Sequence, residues 1–586
     1  MERSYIAAID FGTSRTGFAW CVRGETSGTA SIKVRKDWPG LPGEYVKTYS
    51  ELCHDPENDK WYYGGEAHNI RLKGKDLYGN EVRGNFFQEY KMNLYDTALP
   101  ESEERQYETM DLVVQTLKYM KEQVWENMRA NLGLDALFDR KTFEREVQWV
   151  LTVPEGATDD NKYFMRQAAE TAGLIQKGVK EFDRLMFTLE PEAAVITCIL
   201  DNIAQKFIED DQVCVVFDAG GGTVDVTARR YRPKSEGSAP KLSSIKGIYG
   251  ACEPAGSKYT NTYFFEYLAT LFGGNVCSSL LKEYEEDYHK VMWDWLQGKE
   301  RTIQYRSGED FEIDVDVSEL WYIFRDLSPE EYQKVTEEIE ADPDKTICRG
   351  NFAYKFSGRK NKCLSISRKI FTDICRPAFE NAYSPLKKVL RQLKREGEVC
   401  NSLFFVGGFS CNPCLREYIK EQIAADFPNL NGLRYVEMEG NKMCSAVLLG
   451  AVSYGENPEI IADRIVKLTY GTDCADEVFS PLVLKGDKIS FEKEIQSVFN
   501  PIKSNQTRVD FTFFSTDRTD VTKTTDPSLK RLKAVSIDCP DITGGCSREI
   551  LVTLKFGGTE TIATILDKTS GNQKKVSFHM PFSWNK

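Results

Sequence analysis

The sequence predicts an α/β protein with two duplicated lobes and a C-terminal β-sandwich domain. Three observations support this prediction. An apolar strand, an aspartate, a glycine turn and a second strand occur in that order twice, at Asp10 and again at Asp218. After each copy, apolar strands alternate with stretches of helical period, as in a partly parallel sheet covered by helices. From about residue 465 onward, short β-rich segments are separated by Gly, Asn and Asp.

The first lobe opens with a predicted β-hairpin, whose strands at residues 5–10 and 17–22 are joined through a turn at Gly12. The elements expected after it are a helix over 110–131, a buried strand over 147–153, a helix over 159–172 that stops at Gly173, a strand over 184–191 and a helix over 192–208. This order of strand and helix predicts neighbouring parallel strands.

The second lobe restarts the pattern with strands over residues 213–218 and 223–227. The elements expected next are charged helical segments over 280–301 and 365–395, a strand over 402–406 and a helix ending near Ala425. The composition changes near residues 456–458. The predicted domains are therefore residues 1–210, 211–457 and 465–582, with no helical lid expected after residue 582.

Length and charge limit the function classes. A chain of 586 residues suffices for three or four domains. Its net charge of -13 disfavours nonspecific binding to nucleic acid or to an anionic membrane. The start leads into a strand rather than a signal peptide, and no apolar run approaches the roughly 18 residues of a membrane span. With 16 scattered cysteines, the composition indicates a cytoplasmic protein in a reducing compartment.

One short motif invites a redox interpretation. Cys411-Asn412-Pro413-Cys414 has the Cys-x-x-Cys spacing that can lower the pKa of a thiol. It follows a glycine turn without thioredoxin-like surroundings, and no second cysteine pair completes a zinc site. The sequence therefore favours ordinary cysteines here. The four histidines are too scattered to predict a metal cluster.

Both glycine turns have the composition of a phosphate-binding loop. Small residues let backbone N–H groups approach an anion, hydroxyls add donors, and a nearby carboxylate can hold Mg²⁺ through water. The residues with these properties are Asp10, Gly12, Thr13, Ser14, Asp218, Gly220, Gly221, Gly222, Thr223 and Asp225. A single Asp-Gly turn is usually only a turn. Two turns in corresponding places predict one phosphate site between the lobes.

A third glycine motif, Gly407-Gly408, follows the strand predicted over residues 402–406 and precedes a helix. Glycines at this position would let the backbone approach a flat ligand such as adenosine. A plain turn between strand and helix explains the pair equally well.

In their order along the chain, these motifs resemble those of the heat shock 70 kDa protein family. The string at residues 217–226 is especially close, as are Pro154 and the Glu-Pro-Glu-Ala-Ala sequence at 190–194. Tyr90-Lys91-Met92 and Thr469-Tyr470-Gly471 are similar to the divergent branch called heat shock 70 kDa protein 12. The resemblance covers about residues 4–455, and is fainter at 505–507 and 556–560. It implies actin-like ATPase (ribonuclease H-like) lobes and a substrate-binding-like β-sandwich.

The resemblance also implies residue roles. Lys91, Glu190 and Asp218 would be catalytic, and Lys91 would stabilise charge developing on the γ-phosphate, unless it is a solvated lysine. Asp10, Asp218 and Asp225 would hold Mg²⁺ through water. The residues expected to contact ATP are Gly12, Thr13, Ser14, Gly220, Gly221, Gly222, Thr223, Gly256, Gly407 and Gly408. Pro154 would relay the nucleotide state with Arg166 as a surface partner, although a proline that ends a strand needs no such role.

Several positions depart from the family pattern. Arg15 stands where the family has a tyrosine, and is expected to contact phosphate or to point to solvent. Cys444 replaces an aspartate before the sequence at 446–450. Lys299 and Arg301 are the candidates for adenine contacts. Residues 460–464 replace the acidic, leucine-rich linker of the family.

The resemblance implies a slow Mg-ATP-dependent ATPase whose nucleotide state modulates the binding of an unidentified protein partner or client. One alternative is a nucleotide-gated scaffold with little turnover, because the usual linker and lid are missing. A second alternative is a sugar kinase-like transferase, since the same lobes also serve kinases. No convincing aspartate base near a sugar-binding loop supports that alternative.

Overall fold

The computed structural model describes most of the chain. The described residues are 3–25, 29–95, 103–132, 138–176, 183–200, 208–233, 240–342, 346–357, 363–438, 442–474, 477–491, 493–555 and 561–577. Within these residues, no helix is both long enough and apolar enough to cross a bilayer.

The first large sheet confirms the predicted hairpin and the buried strand after it. Tyr5–Asp10 pairs antiparallel with Arg15–Val22 and parallel with Val147–Val153, whose seven residues are all buried. In spatial order the strands are Lys33–Val34, Arg15–Val22, Tyr5–Asp10, Val147–Val153 and Leu185–Leu189, while Thr48–Tyr49 pairs with the second of them. Aspartate 10 therefore lies at the carboxyl end of a central strand.

The second large sheet has the same order and the same strand directions. Val213–Ala219 pairs antiparallel with Val224–Arg232, with Asp218 opposite Asp225, and parallel with Cys400–Val406. In spatial order its strands are Lys241–Ser243, Val224–Arg232, Val213–Ala219, Cys400–Val406 and Arg434–Glu437, while Ala251–Glu253 pairs with the second of them. Both central strands are almost wholly apolar, as buried parallel strands require.

Two apolar helices, Glu190–Leu200 and Lys442–Glu456, pack together between the large sheets. They cross at Gly450, where an added Cβ would lie 1.6 Å from the carbonyl oxygen of Ala193. Side chains of both sheets complete this core, including Ile6 and Val216. The close crossing therefore requires a residue without a side chain.

The remaining helices cover the outer faces and form the extensions of each lobe. Their bounds are Gly65–Lys73, Glu103–Leu132, Arg140–Glu146, Asp159–Thr171, Tyr259–Phe272, Gly274–Glu283, Glu285–Arg301, Ser318–Leu327, Pro329–Ala341, Arg368–Arg395 and Pro413–Asp426. Small sheets accompany them. Their strands are Leu52–Asp55, Lys60–Tyr63 and Asn85–Phe87, then Glu312–Asp316, Phe356–Ser357 and Cys363–Ser367, and the pair Ile347–Arg349 with Phe352–Tyr354.

The prediction of one helical segment over residues 280–301 is wrong. The structure has two helices, Gly274–Glu283 and Glu285–Arg301, joined at Tyr284, whose backbone is not helical. The apolar period continues across this break, so periodicity alone does not reveal it.

The segment predicted as a helix over residues 365–395 begins as a strand, Cys363–Ser367, and the helix starts at Arg368. Ser367 caps the helix by accepting a hydrogen bond from the N–H of Ile370. The helix predicted over residues 192–208 begins at Glu190 and is described to Leu200, while residues 201–207 lie outside the described residues.

Two four-stranded antiparallel sheets form the C-terminal region. The first contains Thr469–Cys474, Val478–Val483, Arg508–Thr516 and Lys530–Asp538, and the second contains Glu494–Phe499, Ile550–Lys555, Ile562–Asp567 and Gln573–Ser577. Phe513 of the first and Val552 and Ile565 of the second are fully buried in one shared core. The small pair Asp463–Ile465 and Lys488–Ser490 contributes Ile489 to this core. The fainter family resemblance at residues 556–560 lies outside the described residues.

The C-terminal region docks on the first lobe through polar contacts. The Tyr470 hydroxyl donates to Asp159 Oδ2 at 2.8 Å, and Lys467 Nζ donates to Glu155 Oε1 at 3.0 Å. Both acceptors belong to the turn and helix that follow the strand Val147–Val153.

A buried ion pair fixes the segment between the lobes and the C-terminal sheets. Glu192 is fully buried, and Arg229 and Arg464 each place an Nη2 atom 2.6 Å from one of its carboxylate oxygens. Burial alone would raise the pKa of Glu192, but Arg464 and Arg229 lower it to about 2. The segment at residues 460–464, which replaces the family's linker, is thus anchored beside the helix Glu190–Leu200.

Candidate functional site

The two glycine turns meet between the large sheets. An added Cβ at Gly221 would lie 2.2 Å from Ser14 Oγ, and one at Gly222 would lie 2.3 Å from Thr13 Oγ1. Residues that are distant in the sequence therefore form one surface, on which two hydroxyls face two glycines.

The second turn is held by a neighbouring segment that begins at Gly256. The N–H groups of residues 256–258 donate to the carbonyl oxygens of residues 220–222 at 2.9–3.0 Å. An added Cβ at Gly256 would lie 2.4 Å from the carbonyl carbon of Gly221, so only glycine fits. Among the described residues, the N–H groups of Gly221 and Gly222 have no hydrogen-bond acceptor. Free N–H groups in a tight turn suit the binding of an anion such as phosphate.

Gly407 and Gly408 lie next to this surface. Gly407 has φ of 86°, and an added Cβ would lie 2.4 Å from Asp218 Oδ1. Both the backbone conformation and the contact therefore require glycine. Gly408 has open space where a side chain would stand. This is the geometry that a flat ligand would need.

Asp10 has two polar neighbours that the sequence does not predict. Lys47 Nζ donates to Asp10 Oδ2 at 2.5 Å, and Thr152 Oγ1 donates to Asp10 Oδ1 at 3.0 Å. Lys47 follows a segment without clear periodicity, so no local pattern identifies it. Thr152 occupies the neighbouring parallel strand, and its role depends on strand pairing.

Lys91 is buried and pairs with Glu190. Its ammonium donates to Glu190 Oε1 at 2.7 Å from the short 3₁₀ helix Tyr90–Leu94. The side chain of Lys91 is 4% exposed, so the alternative of a solvated lysine is wrong. The structure thus brings together these two residues, which the sequence places almost a hundred positions apart.

Three buried carboxylates, those of Asp10, Asp218 and Asp225, lie in this region with the less buried carboxylate of Glu190 and two lysines. Burial raises the pKa of Glu190 to about 7, and the charges of Asp10 and Asp225 add to that effect while Lys91 opposes it. Burial and the neighbouring carboxylates also raise the pKa of Asp218, and burial raises that of Asp225. The site therefore has more negative charge than its lysines neutralise.

This excess of buried negative charge fits a divalent cation. Carboxylate oxygens are the donors that Mg²⁺ prefers, and it commonly keeps several water ligands. Within the described parts of the chain, no three Asp, Glu, His or Cys side chains are close enough to hold an ion directly. The arrangement is therefore compatible with a hydrated ion, as the sequence suggests for Asp10, Asp218 and Asp225, rather than with direct coordination.

Pro154 ends a strand beside this site, and the residue after it contacts the second lobe. The N–H of Glu155 donates to Asp225 Oδ1 at 2.7 Å. Arg166, expected as a surface partner of Pro154, is instead buried, donates to the carbonyl oxygen of Leu185 at 3.0 Å and stacks on Phe187. The surface role predicted for Arg166 is wrong, because its guanidinium fills space between its helix and the adjacent strand.

Arg15 pairs with a carboxylate of the second lobe and does not point freely into solvent. Its Nη2 lies 2.5 Å from Glu300 Oε1, and its guanidinium stacks over Tyr49, with the ring centroid 4.4 Å away. Arg15 therefore bridges the first hairpin and the helix Glu285–Arg301 of the second lobe.

The two residues suggested as adenine contacts differ in their surroundings. Lys299 Nζ donates to Asn261 Oδ1 at 2.9 Å and to Thr260 Oγ1 at 3.1 Å, and burial lowers the pKa of Lys299 to about 8. Arg301 is exposed. Only Lys299 lies in the interior between the helices of the second lobe.

The shared strand order of the two large sheets fits an actin-like ATPase fold. The family model described as Hsp70 protein matches residues 334–581. The human heat shock 70 kDa proteins 12A and 12B are each 23% identical, over 97% and 98% of this chain and 90% of their own length. Chaperone protein DnaK of Thermosipho melanesiensis is 20% identical over 88% of this chain and 71% of its own length.

These similarities confirm the predicted resemblance. Residues 334–581 match the Hsp70 family model, and nearly the whole chain is similar to the divergent heat shock 70 kDa protein 12 branch of that family. This similarity supports a nucleotide-binding ATPase.

The charge excess predicts a stabilising substitution, Glu190→Gln. The pKa of Glu190 is about 7 in the folded protein and near 4.5 when unfolded, so the folded protein retains this proton to higher pH. The free energy of unfolding is therefore expected to fall as pH rises from about 4.5 to 7. Since glutamine cannot ionise, the variant should be more stable than the wild type at pH 8, by on the order of 2 kcal/mol.

Urea denaturation without nucleotide or Mg²⁺ at pH 8 and pH 5 measures this difference. The gain should shrink at pH 5, where the wild-type carboxyl is protonated. Glu108→Gln, at an exposed helical position, is the matched control and should have no effect at either pH. Equal stability of wild type and Glu190→Gln at pH 8 would contradict the prediction, because it would show that neighbouring groups already compensate the negative charge of Glu190.

Proposed function

We propose that this protein binds Mg-ATP between its two lobes and hydrolyses it slowly, and that its nucleotide state modulates the binding of a protein partner. The observation that carries the proposal is the meeting of two glycine turns beside four carboxylates, three of them buried, and two lysines. Free N–H groups suit phosphate oxygens, and the carboxylate excess suits Mg²⁺.

We assign the chain's own groups to separate tasks. Thr13, Ser14 and Thr223 donate hydroxyl hydrogen bonds to phosphate, together with the N–H groups of the turns. Asp10, Asp218 and Asp225 accept hydrogen bonds from the water ligands of Mg²⁺, which when bound offsets negative charge at the phosphates. Residues 407–408 offer backbone to the adenosine.

Lys91 and Glu190 are the residues that we place nearest to the transferred phosphate. The Lys91 ammonium would stabilise negative charge that develops on departing oxygens, because its burial strengthens such interactions. Glu190 and Asp218 would orient the attacking water. The raised pKa of Glu190, about 7, would let that carboxyl accept a proton near neutral pH.

We further propose three domains, with residues 1–210 and 211–457 as duplicated lobes and residues 465–582 as a β-sandwich. The shared strand order of the large sheets supports the duplication. The common core of the two C-terminal sheets supports a sandwich of the substrate-binding type. The similarity to chaperone protein DnaK supports a client or protein partner.

Isothermal titration of the whole chain with Mg-ATP tests the binding step. We expect saturable one-to-one binding that weakens at least about tenfold when Asp218→Asn removes a buried carboxylate. Asp111→Asn, on an exposed helical surface, is the matched control and should bind as the wild type does. Absence of binding by the folded wild-type chain would refute the proposal.

A nucleotide-gated scaffold is the second candidate, and one observation favours it. Ile460 and Ile461 are buried and Arg464 is held by Glu192, so the segment between lobes and sandwich is anchored. An anchored joint suits a protein that presents a fixed surface while nucleotide is bound. Scaffold function would persist in variants that no longer release phosphate.

A further inference from the structure

Two cysteines from distant parts of the chain lie side by side next to the nucleotide site. Cys411 ends the 3₁₀ turn Phe409–Cys411, and Cys444 is in the first turn of the helix Lys442–Glu456. Their Sγ atoms are 3.6 Å apart. The N–H of Gly407 donates to the carbonyl oxygen of Met443 at 3.1 Å, which holds the two segments together.

The partner of Cys411 is not the cysteine that the sequence motif suggests. Cys414 follows Cys411 at Cys-x-x-Cys spacing, but its thiol interacts with the Thr372 hydroxyl on another helix. The sulfur beside Cys411 belongs to Cys444, which occupies the position where the family pattern has an aspartate. The sequence motif thus identifies one correct cysteine and the wrong partner.

The surroundings make the two thiols unequal. A hydrogen bond donated by Cys411 lowers the pKa of Cys444 to about 7 against the opposing effect of burial, and the charges of Lys47 and Arg15 lower it further. The same hydrogen bond and burial raise the pKa of Cys411. A position in the first turn of a helix also favours a thiolate. Cys444 is partly exposed and is therefore the nucleophile of the pair. Cys411 is buried and is the second thiol, which reacts after Cys444.

Other cysteines of the chain lack these properties. Burial raises the pKa values of Cys21, Cys214 and Cys277 to about 12, so these thiols stay protonated at neutral pH. Cys348 and Cys546 are exposed, but within the described part of the chain neither has another cysteine sulfur at hydrogen-bonding distance. Only the Cys411–Cys444 pair combines a thiolate-forming residue with an adjacent second thiol among the described residues.

We propose that Cys444 and Cys411 are an oxidation site that closes reversibly to a disulfide in response to a hydroperoxide. The Cys444 thiolate attacks the peroxide O–O bond, takes one oxygen as a sulfenic acid and releases hydroxide or alkoxide. Cys411 sulfur then attacks Cys444 sulfur, and the sulfenic oxygen leaves with the Cys411 proton as water. Two electrons pass from the two thiols to the peroxide, and a dithiol reductant reverses the reaction.

The geometry requires little movement. A disulfide places its sulfurs about 2.0 Å apart, so they must approach by about 1.6 Å, which rotation of two side chains can provide. Oxidation replaces a thiolate with a neutral disulfide near Lys47, the lysine that binds Asp10. The reaction itself needs only the two sulfurs and does not depend on the proposed nucleotide binding.

Disulfide mapping of the whole chain tests the proposal. The reduced protein is treated with hydrogen peroxide, free thiols are alkylated, and a non-reducing digest is examined by mass spectrometry. We expect a linked pair of peptides containing Cys411 and Cys444, lighter by the two thiol hydrogens and lost after dithiothreitol. The proposal would be overturned if Cys411 and Cys444 were both still alkylated after a treatment that oxidises Cys348 or Cys546. A disulfide between Cys411 and Cys414 would also overturn it.

Three serine variants test which cysteines form the disulfide and which of them reacts first. Cys414→Ser is the matched control, since it disrupts the sequence motif and should leave the Cys411–Cys444 link intact. Cys411→Ser should abolish the link and leave Cys444 as a sulfenic acid that dimedone captures. Cys444→Ser should reduce oxidation of Cys411 by at least about tenfold, because the buried thiol of Cys411 stays protonated. Circular dichroism verifies folding, and wild-type mapping decides the question if a variant does not fold.

Discussion

Replacing Lys91 with alanine is expected to slow single-turnover phosphate release from bound Mg-ATP by about 10²–10³-fold. The buried ammonium is 2.7 Å from Glu190 and is the cation that we place nearest to the transferred phosphate. Alanine removes this charge without altering either glycine turn. Mg-ADP affinity should change much less than the rate, since the turns and the carboxylates that bind it remain.

Lys118→Ala is the matched control, because Lys118 is an exposed lysine of the helix Glu103–Leu132. It should release phosphate at the wild-type rate. Asp10→Asn should lose activity as Lys91→Ala does, while thermal unfolding confirms that each variant is folded. A wild-type rate no faster than that of Lys91→Ala or Asp10→Asn would instead favour the scaffold.

Gly450→Val is expected to destabilise the protein by about 3 kcal/mol or more, or to prevent folding. A Cβ at this position would lie 1.6 Å from the carbonyl oxygen of Ala193, so the two central helices would have to separate. Their contact is the core between the large sheets, and neither helix can shift without displacing strand residues such as Ile6. Urea denaturation of the purified variant measures the loss.

Gly274→Ala is the matched control for this prediction. Gly274 is also helical, but an added Cβ would meet no atom within 4 Å. Because alanine favours helix more than glycine does, this variant should gain up to about 1 kcal/mol. A small effect of Gly450→Val would show that the helices can separate without cost, contrary to the tight crossing.

The sequence predicts those elements whose signal is local. The strand at residues 147–153 is found with the predicted bounds, because its apolar run ends at a proline. Both hairpins are predictable because an aspartate followed by glycines is typical of a turn between two strands. The break at Tyr284 is not predictable in this way, since the apolar period of two successive helices continues across it.

Some residues of the candidate site are predictable from local motifs, and others are brought there only by the tertiary structure. Its glycines and carboxylates occur in compact motifs that the sequence displays. Lys47 and Thr152 reach Asp10 only through tertiary structure, and no local pattern marks either of them. The same is true of Cys411 and Cys444, whose contact depends on a turn and a helix that meet across the lobe. Motifs therefore identify the turns, and folding supplies the residues around them.

The distribution of thiols has a practical consequence. Cys348 lies in a small sheet of the second lobe and Cys546 lies in the C-terminal region, and both are exposed. With Cys444, the other reactive thiol, replaced by serine, a maleimide dye pair would have one exposed attachment point on each side of Arg464. Energy transfer between the dyes would then report the separation of lobe and C-terminal region, without the introduction of a new cysteine, as nucleotide and peptide are added.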